Sequence, residues 1–280
     1  MVAETLLDIV ILNWRTPELT LACIESVRTA SPSAHIIVVD NGSADGSLEK
    51  IRARAGPDVT IVSNPVNVGF GAGMNAGIRA GSRPYVIVLN SDARPVAGAF
   101  SRMITRCESD ATIAAVTPRV VDGTGATLGL YPPEPRPLSV VIAMLPGAWR
   151  LSGASSSNVP PELVTWFSSM CATLFRRSAF AEVGNFDEHY FLGTEEWDVG
   201  RRLKDAGYRV VLEPNAEVVH LVAASTPSAA RPWRARMGRR SHQYFLRTHH
   251  GRFWGAMGMI ALQISEAYMA VKDRSAQQPK

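Results

Sequence analysis

The stretch that most constrains the fold is Tyr85 to Ala93, YVIVLNSDA. An uninterrupted apolar run, Val86 to Leu89, stops abruptly at Asn90, Ser91 and Asp92. β-Branched residues and leucine without polar alternation suit a strand covered on both faces, as the strands of parallel sheets are. Ligands of open α/β sheets bind beyond the carboxyl ends of such strands, and Asp92 falls there. Taken alone, Asp92 serves equally well to open a turn.

The chain before it keeps one tempo. Leu6 to Leu12 reads as a strand ending in Asn13-Trp14-Arg15, and Pro17 suits the first turn of a helix reaching Ala30. Leu21, Ile24 and Val27 share one face of that helix. His35 to Val39 is a second buried strand, stopped by Asp40-Asn41-Gly42-Ser43. A helix around Leu48 to Ala55 and a strand from Val59 to Val62 follow. This alternation predicts parallel βαβ units with right-handed crossovers. Next comes NPVNVGFGAGMNAGI, whose glycines at 69, 71, 73 and 77 let backbone approach a ligand and open a helix to Ala80. The stretch is not a G-x-G-x-x-G dinucleotide fingerprint, since Met74 stands where one begun at Gly69 needs its last glycine. A helix from Gly98 to Glu108 and a strand from Ile113 to Val121 complete the first half.

From Asp122 to Pro161 the pattern gives way to seven prolines and the run SGASSSN, which predicts a long irregular loop of the kind that forms functional lids. A strand over Thr165 to Phe175, a helix over Arg176 to Val183, a helix from Glu195 to Ala206 and a strand pair from Arg209 to Leu221 are expected after it. The end of the chain, from Arg231, reads as two helices, basic then apolar, separated near Gly251. With 46% hydrophobic and 19% charged residues, the 280-residue chain has enough apolar content for a real core. The expected division is a main domain over residues 1–225 and a helical extension over 226–280.

Arginines at 231, 234, 236, 239, 240, 247 and 252 carry much of the net charge of +4, with no acid among them. Such a segment suits nucleic acid, an anionic membrane or a phosphorylated substrate. The apolar segment Phe253 to Val271 is interrupted by Gln263, Ser265 and Glu266, which argues for a helix at a membrane surface or packed on the domain, and against a spanning one. Cys23, Cys107 and Cys171 lack metal-ligand spacing and point to a reducing compartment, and no signal peptide is expected at the start.

Amide and acid groups recur just past the strand ends: Asn13, Asp40-Asn41, Asn67 to Asn75, and Asn90-Ser91-Asp92. Each alone is a turn residue, but four at successive crossovers suggest a nucleotide cleft, with one carboxylate for the base or ribose and another for a divalent metal. Glu195, Glu196 and Asp198 crowd the start of a predicted helix. They favour the helix dipole, and their mutual repulsion also raises a carboxylate toward general-base use. His220 is either structural or a metal ligand.

In order, VVDNGSADGS, NPVNVGFGAGMNAGI, VLNSDA and GNFDEHYFLGTEEWDVGRRLKDAGYRV resemble the family 2 glycosyltransferases, which have the GT-A fold, over Leu6 to Ser225. The nearest flavour is the bacterial rhamnosyltransferase-like group. The resemblance implies an α/β fold, a Rossmann-like nucleotide-binding and mostly parallel sheet flanked by helices, with C-terminal helices added. It puts Asp40 at the base of the nucleotide, and Asn67, Gly69 and Asn75 in the turn beneath it. Asn90-Ser91-Asp92 stands at the family's D-x-D, so Asp92 would hold Mg²⁺ or Mn²⁺, with His220 and Ser225 nearby. Glu195-Glu196 stands at the family's Glu-Asp pair, with Glu196 at the general-base position, and Asp198 near the acceptor. Two positions depart: Asn90 removes a charged ligand, and Glu196 is one methylene longer than aspartate.

What this implies is an inverting transferase taking a sugar from a dTDP- or UDP-sugar to a glycan or lipid-linked acceptor. Trp166 and the Pro-rich loop would shape the acceptor site, the location would be cytoplasmic with peripheral contact at the inner membrane face, and nucleic acid would not be a partner. Two other readings stand beside it. A nucleotidyltransferase would want a basic loop after the first strand, where Arg15 is the one candidate. A catalytically inactive basic adaptor at a membrane or nucleic acid would leave the acidic cluster without a purpose.

Overall fold

The computed structural model describes residues 3–128, 134–148, 170–221 and 231–277. Its centre is the parallel set predicted from the apolar runs: β1 (Leu7–Asn13), β2 (His35–Asn41), β3 (Val59–Asn64) and β4 (Tyr85–Asn90). They lie in the order β3-β2-β1-β4 at one side of an eight-stranded sheet that continues with β7 (Ala172–Arg176), β6 (Ile113–Val121), β8 (Arg209–His220) and β5 (Ala93–Pro95). The long apolar runs in these strands have a direct cause. Ile9 and Ile11 of β1, Ile36 and Val38 of β2, and Ile87 and Leu89 of β4 enter one core, shared with Leu21, Ile24 and Val27 of α1 (Pro17–Ala30) and with Phe100 and Met103 of α4 (Ala99–Glu108). Their neighbours Val10, Ile37, Val39, Val86 and Val88 enter a second core on the other face. There they meet Met74 and Ile78 of α3 (Phe70–Ala80), Phe180 of α6 (Arg177–Glu182), and Val199 and Leu203 of α7 (Glu195–Asp205). With both faces covered, the runs stay apolar up to the carboxyl ends, and the buried Asp8 at the other end of β1 is paired with Arg177 at 2.6 Å and His35 at 2.8 Å. The short α2 (Ser47–Arg54) completes the crossover between β2 and β3.

Beyond β4 the sheet changes direction. β7 (Ala172–Arg176) inserts antiparallel between β4 and β6 (Ile113–Val121), while β8 (Arg209–His220) runs parallel to β6. The three-residue β5 (Ala93–Pro95) pairs antiparallel with the end of β8, setting Ala93 opposite His220. The expected closing strand pair is thus one long strand. Its pairing with β6 slips between Pro118 and Arg119, so that Glu213 and then Glu217 face successive β6 residues and Pro214 falls in the slip. Proline lacks the N–H a ladder needs, which is why the irregularity sits there. The predicted strand over Thr165 to Phe175 begins, in the described residues, at Ala172.

The Pro-rich loop is not wholly irregular. Pro137–Met144 forms α5, with Pro137 in its first turn, and its Val140, Val141 and Met144 are buried against Leu246, Ala261 and Leu262. Those last three belong to α8 (Arg231–Gln277), whose two halves, α8a (231–250) and α8b (252–277), meet at Gly251 with φ 86° and ψ −178°. Among the described residues no helix is long and apolar enough to cross a membrane.

Candidate active site

A cavity of about 300 Å³ opens beyond the carboxyl ends of β1, β2 and β4. Leu12, Asn41, Asn90 and Ser91, from those ends, form one wall. Asn13 and Asp40 sit just behind it, both buried. Asp40 Oδ1 accepts from Asn13 Nδ2 at 2.7 Å and from Ser43 Oγ at 2.6 Å, and Asn13 in turn accepts from Thr20 Oγ1 at 2.9 Å. This network fixes the Asp40 carboxylate on its own side chains before any ligand arrives.

The glycine turn supplies a second wall, and Asn41 holds it in place. Asn41 Nδ2 donates to Asn67 Oδ1 at 3.1 Å and to the Gly69 carbonyl at 3.0 Å. Gly69 has φ 93° and ψ 175°, a conformation that is close to glycine-only. A Cβ there would stand 2.5 Å from the Phe191 carbonyl oxygen, which itself accepts from Phe70 N at 2.8 Å. The turn therefore clasps the loop that leads to α7. Asn75 does a related job from further back. It exchanges hydrogen bonds with the Phe186 backbone, at 2.9 and 3.2 Å, and does not line the cavity.

Asp92 lies beneath Ser91, fully buried, with its Oδ1 3.1 Å from His220 Nε2. Two neighbouring ligands of an octahedral cation bound at ~2.0–2.1 Å are themselves ~3 Å apart, so this carboxylate–imidazole pair has the spacing and the donors for a divalent metal. Among the described residues it is a pair and not a cluster of three or more such side chains. Remaining positions around an ion would fall to diphosphate oxygens and water, consistent with Asn90, a cavity-lining residue, in place of a further carboxylate.

Opposite stands the start of α7. Gly193 and Thr194 both take left-handed backbone, φ 79° and 80°, and this strained turn aims Glu195 and Glu196 into the cavity. Burial raises both carboxyl groups above the ordinary Glu value. Glu195 is the deeper, 3% exposed, and burial together with the charge of Glu196 pushes it up to about 8. Backbone N–H groups and Arg234 pull each of them partly back. Thr194 Oγ1 and Glu195 Oε1 are buried without a hydrogen-bond partner among the described residues, which marks a surface made to receive a polar ligand. Asp198, one turn on, faces away from the cavity: it binds His249 Nε2 at 2.7 Å and Arg202 Nε at 2.9 Å, tying α7 to α8a. Trp166 and Ser225 lie outside the described residues.

The sequence reading missed the lid. Trp233 and Arg234, in the first turn of α8a, line the cavity together with Phe191 and Trp14. Trp233 stacks on Trp14 with ring centroids 6.0 Å apart and receives the edge of Phe191 at 5.6 Å. Arg234 is near enough to lower both glutamates. The arginines of this segment suited nucleic acid, an anionic membrane or a phosphorylated substrate, and no local pattern marks one Trp-Arg step as folding back over the cleft.

Strand order, the crossing of β8 and the cavity position define a GT-A glycosyltransferase fold. Solved structures with this fold include a mannosyltransferase from Pyrobaculum calidifontis in complex with GDP-Man and Mn²⁺, at 17% identity and a TM-score of 0.60, covering 98% of this chain and 76% of that one. GalNAc-T7 in complex with UDP, GalNAc and Mn²⁺ matches at 16% identity and a TM-score of 0.55, covering 86% and 49%. The chain belongs to glycosyl transferase family 2, whose profile matches residues 8–184. It is 30% identical over 252 residues to the N-acetylglucosaminyl-diphospho-decaprenol L-rhamnosyltransferase of Mycobacterium tuberculosis, covering 82% of this chain and 80% of that protein. It is 31% identical over 192 residues to the pre-mycofactocin glycosyltransferase of the same species, covering 69% of this chain and 38% of the other.

Proposed function

We propose that this glycosyltransferase moves a sugar, rhamnose in the first instance, from a dTDP- or UDP-sugar onto a hydroxyl of a lipid-linked acceptor, with inversion at the anomeric carbon. The observation that carries the reading is the pair of raised carboxyl groups, Glu195 and Glu196, facing a cavity that Asn90 and Ser91 line, with Asp92 and its partner His220 buried next in the chain to Ser91. Glu195, pushed up to about 8 by burial and in part by the charge of Glu196, keeps its proton at neutral pH and leaves Glu196 as the carboxylate of the pair. Glu196 takes the acceptor hydroxyl proton while that oxygen bonds to the anomeric carbon and the bond from that carbon to the diphosphate oxygen breaks. A base raised toward the working pH is the stronger proton acceptor for this step. Neutral Glu195 adds no second charge next to it.

The departing diphosphate carries the negative charge away. Arg234, on the cavity wall, faces it with a fixed positive charge. Asp92 and His220 are the side chains that would hold Mg²⁺ or Mn²⁺; when bound, such an ion supplies charge neutralisation at the diphosphate. Asn41, Asn67 and Gly69 shape the nucleotide side of the cavity. The lipid-linked acceptor is supported by the relative whose name contains a diphospho-decaprenol, and on this reading the enzyme works in the cytoplasm at the inner face of a membrane.

Thermal unfolding in the presence of a panel of dTDP- and UDP-sugars, each with and without Mn²⁺, tests the proposal. One donor is expected to raise the melting temperature, and more so with the metal, because a ligand that binds only the folded state stabilises it. A panel in which no nucleotide-sugar shifts the transition would refute it.

A further inference from the structure

The second half of α8 leaves an apolar stripe in water. Phe253, Ile260, Ile264 and Tyr268 are 68%, 50%, 50% and 52% exposed, and Ala256 and Ala267 are exposed between them. At 3.6 residues per turn these six fall within roughly 120° of one another and extend over ~22 Å. The opposite side of the helix is buried: Gly255, Gly258, Ala261, Leu262 and Ser265 pack inward. Single exposed apolar residues need no explanation, but a continuous stripe does.

Positive charge lies beside it. After Gly251, α8b runs back antiparallel to α8a. Arg240 of the first half pairs with Glu266 of the second at 3.4 Å, and a Cβ on Gly258 would stand 2.8 Å from Leu246 Cδ1. Arg236, Arg240, Arg247 and Arg252 are exposed on this hairpin, and the sequence from Arg231 to Ser265 contains no Asp or Glu.

We infer that the hairpin is a docking surface for an anionic lipid bilayer: α8b lies in the plane of the headgroups, its stripe enters the acyl boundary, and the arginines meet lipid phosphates. Helices that lie at a membrane interface combine these two features. Charge decides against a second copy of the chain as the occupant. A two-fold contact through this face would set the same arginines against one another, and Glu266 of α8b is already paired with Arg240 of its own chain. The hairpin also connects docking to the site. Trp233 and Arg234 at the start of α8a line the cavity, and the antiparallel return brings the end of α8b toward that same point. Docked in this way, the cavity mouth stands at headgroup level, where the diphosphate of a lipid-linked acceptor lies. That last consequence rests on the acceptor proposed above; the docking does not.

Sedimentation of the full chain with vesicles of phosphatidylcholine alone, and of phosphatidylcholine mixed with phosphatidylglycerol, tests this. The chain should bind the mixed vesicles, bind the neutral ones far less, and come off as salt rises, since screening shortens to ~3 Å at high ionic strength. The exposed double variant I260S/I264S should lower partitioning roughly tenfold, equal to ~1.4 kcal/mol. R247Q/R252Q should remove a similar factor from the mixed vesicles alone and flatten the salt dependence. Absence of binding, equal binding to both vesicle types, or variants that bind like the parent would overturn the inference. So would a dimer, by sedimentation equilibrium, that I260S/I264S dissociates. Donor-induced thermal shifts on the same preparations separate the two readings: lost docking with an intact donor shift would leave sugar transfer standing.

Discussion

Replacing Glu196 by Gln keeps the shape of the side chain and removes the proton acceptor. Both glutamates line the cavity, so neither change should disturb the fold, and the amide still fills the space the carboxylate did. A positioned general base contributes ~10²–10⁴-fold, and single-turnover transfer should fall by that factor while donor affinity, read by calorimetry, stays within about twofold. Glu195 answers differently because of its protonation. Its carboxyl, pushed up to about 8 by burial and by Glu196, is already neutral at pH 7. Gln is close to an isostere of that neutral acid, so Glu195→Gln should hold transfer within about tenfold of the parent at pH 7, where the barrier change stays near 1.4 kcal/mol. The difference appears at alkaline pH. Above about 8 the parent gains a second negative charge beside its base and its leaving group, so its kcat/KM should decline there, whereas Glu195→Gln should lose that limb. Stability follows the same sign. From the ordinary carboxylate range up to about 8 the folded chain holds a proton the unfolded chain has lost, so the parent becomes less stable as pH rises through this window, and the variant does not. A Glu196→Gln enzyme with near-parental turnover, beside an inactive Glu195→Gln, would refute this division of roles and give the base to Glu195.

Two further changes test other parts of the site. Asp92→Ala should abolish the Mn²⁺-dependent part of donor affinity and leave the metal-independent part in place, measured by calorimetry with and without Mn²⁺; unchanged dependence on the ion would remove Asp92 from the metal site. Gly69→Ala forces a side chain into left-handed backbone and against the Phe191 carbonyl 2.5 Å away, at a strain of ~1–3 kcal/mol. It should lower the melting temperature by several degrees and weaken donor binding, and a variant with parental values of both would show that the turn does not hold the 191–193 loop.

The parallel half of the sheet was legible because its strands obey a local rule: covered on both faces, the runs 9–12, 36–39 and 86–89 of β1, β2 and β4 are apolar until the carboxyl ends where the amides and acids begin. α1 and α4 were legible from their single apolar faces. α5 was not, since PLSVVIAM is set among prolines and acquires its burial from Leu246, Ala261 and Leu262 more than a hundred residues later. The antiparallel insertion of β7 and the slip in β8 were hidden for the same reason: strand order and register are settled by partners far along the chain. Within the site, Glu195 and Glu196 stand out as neighbouring acids in any reading. The meeting of Asp92 with His220, 128 positions apart, needs the β5–β8 pairing. The aromatic lid of Trp14, Phe191 and Trp233 draws on three separate segments, and only the folded chain brings them together.

The central claim is transfer in one inverting step, with a single carboxylate as base. Once the donor panel has supplied a substrate, the anomeric configuration of the first product, read by NMR from the anomeric coupling before any equilibration, tests it most directly. The account predicts a product whose linkage is opposite in configuration to the donor's. A product that retains the donor configuration would contradict it, because one in-line displacement assisted by Glu196 cannot return the sugar to its starting hand.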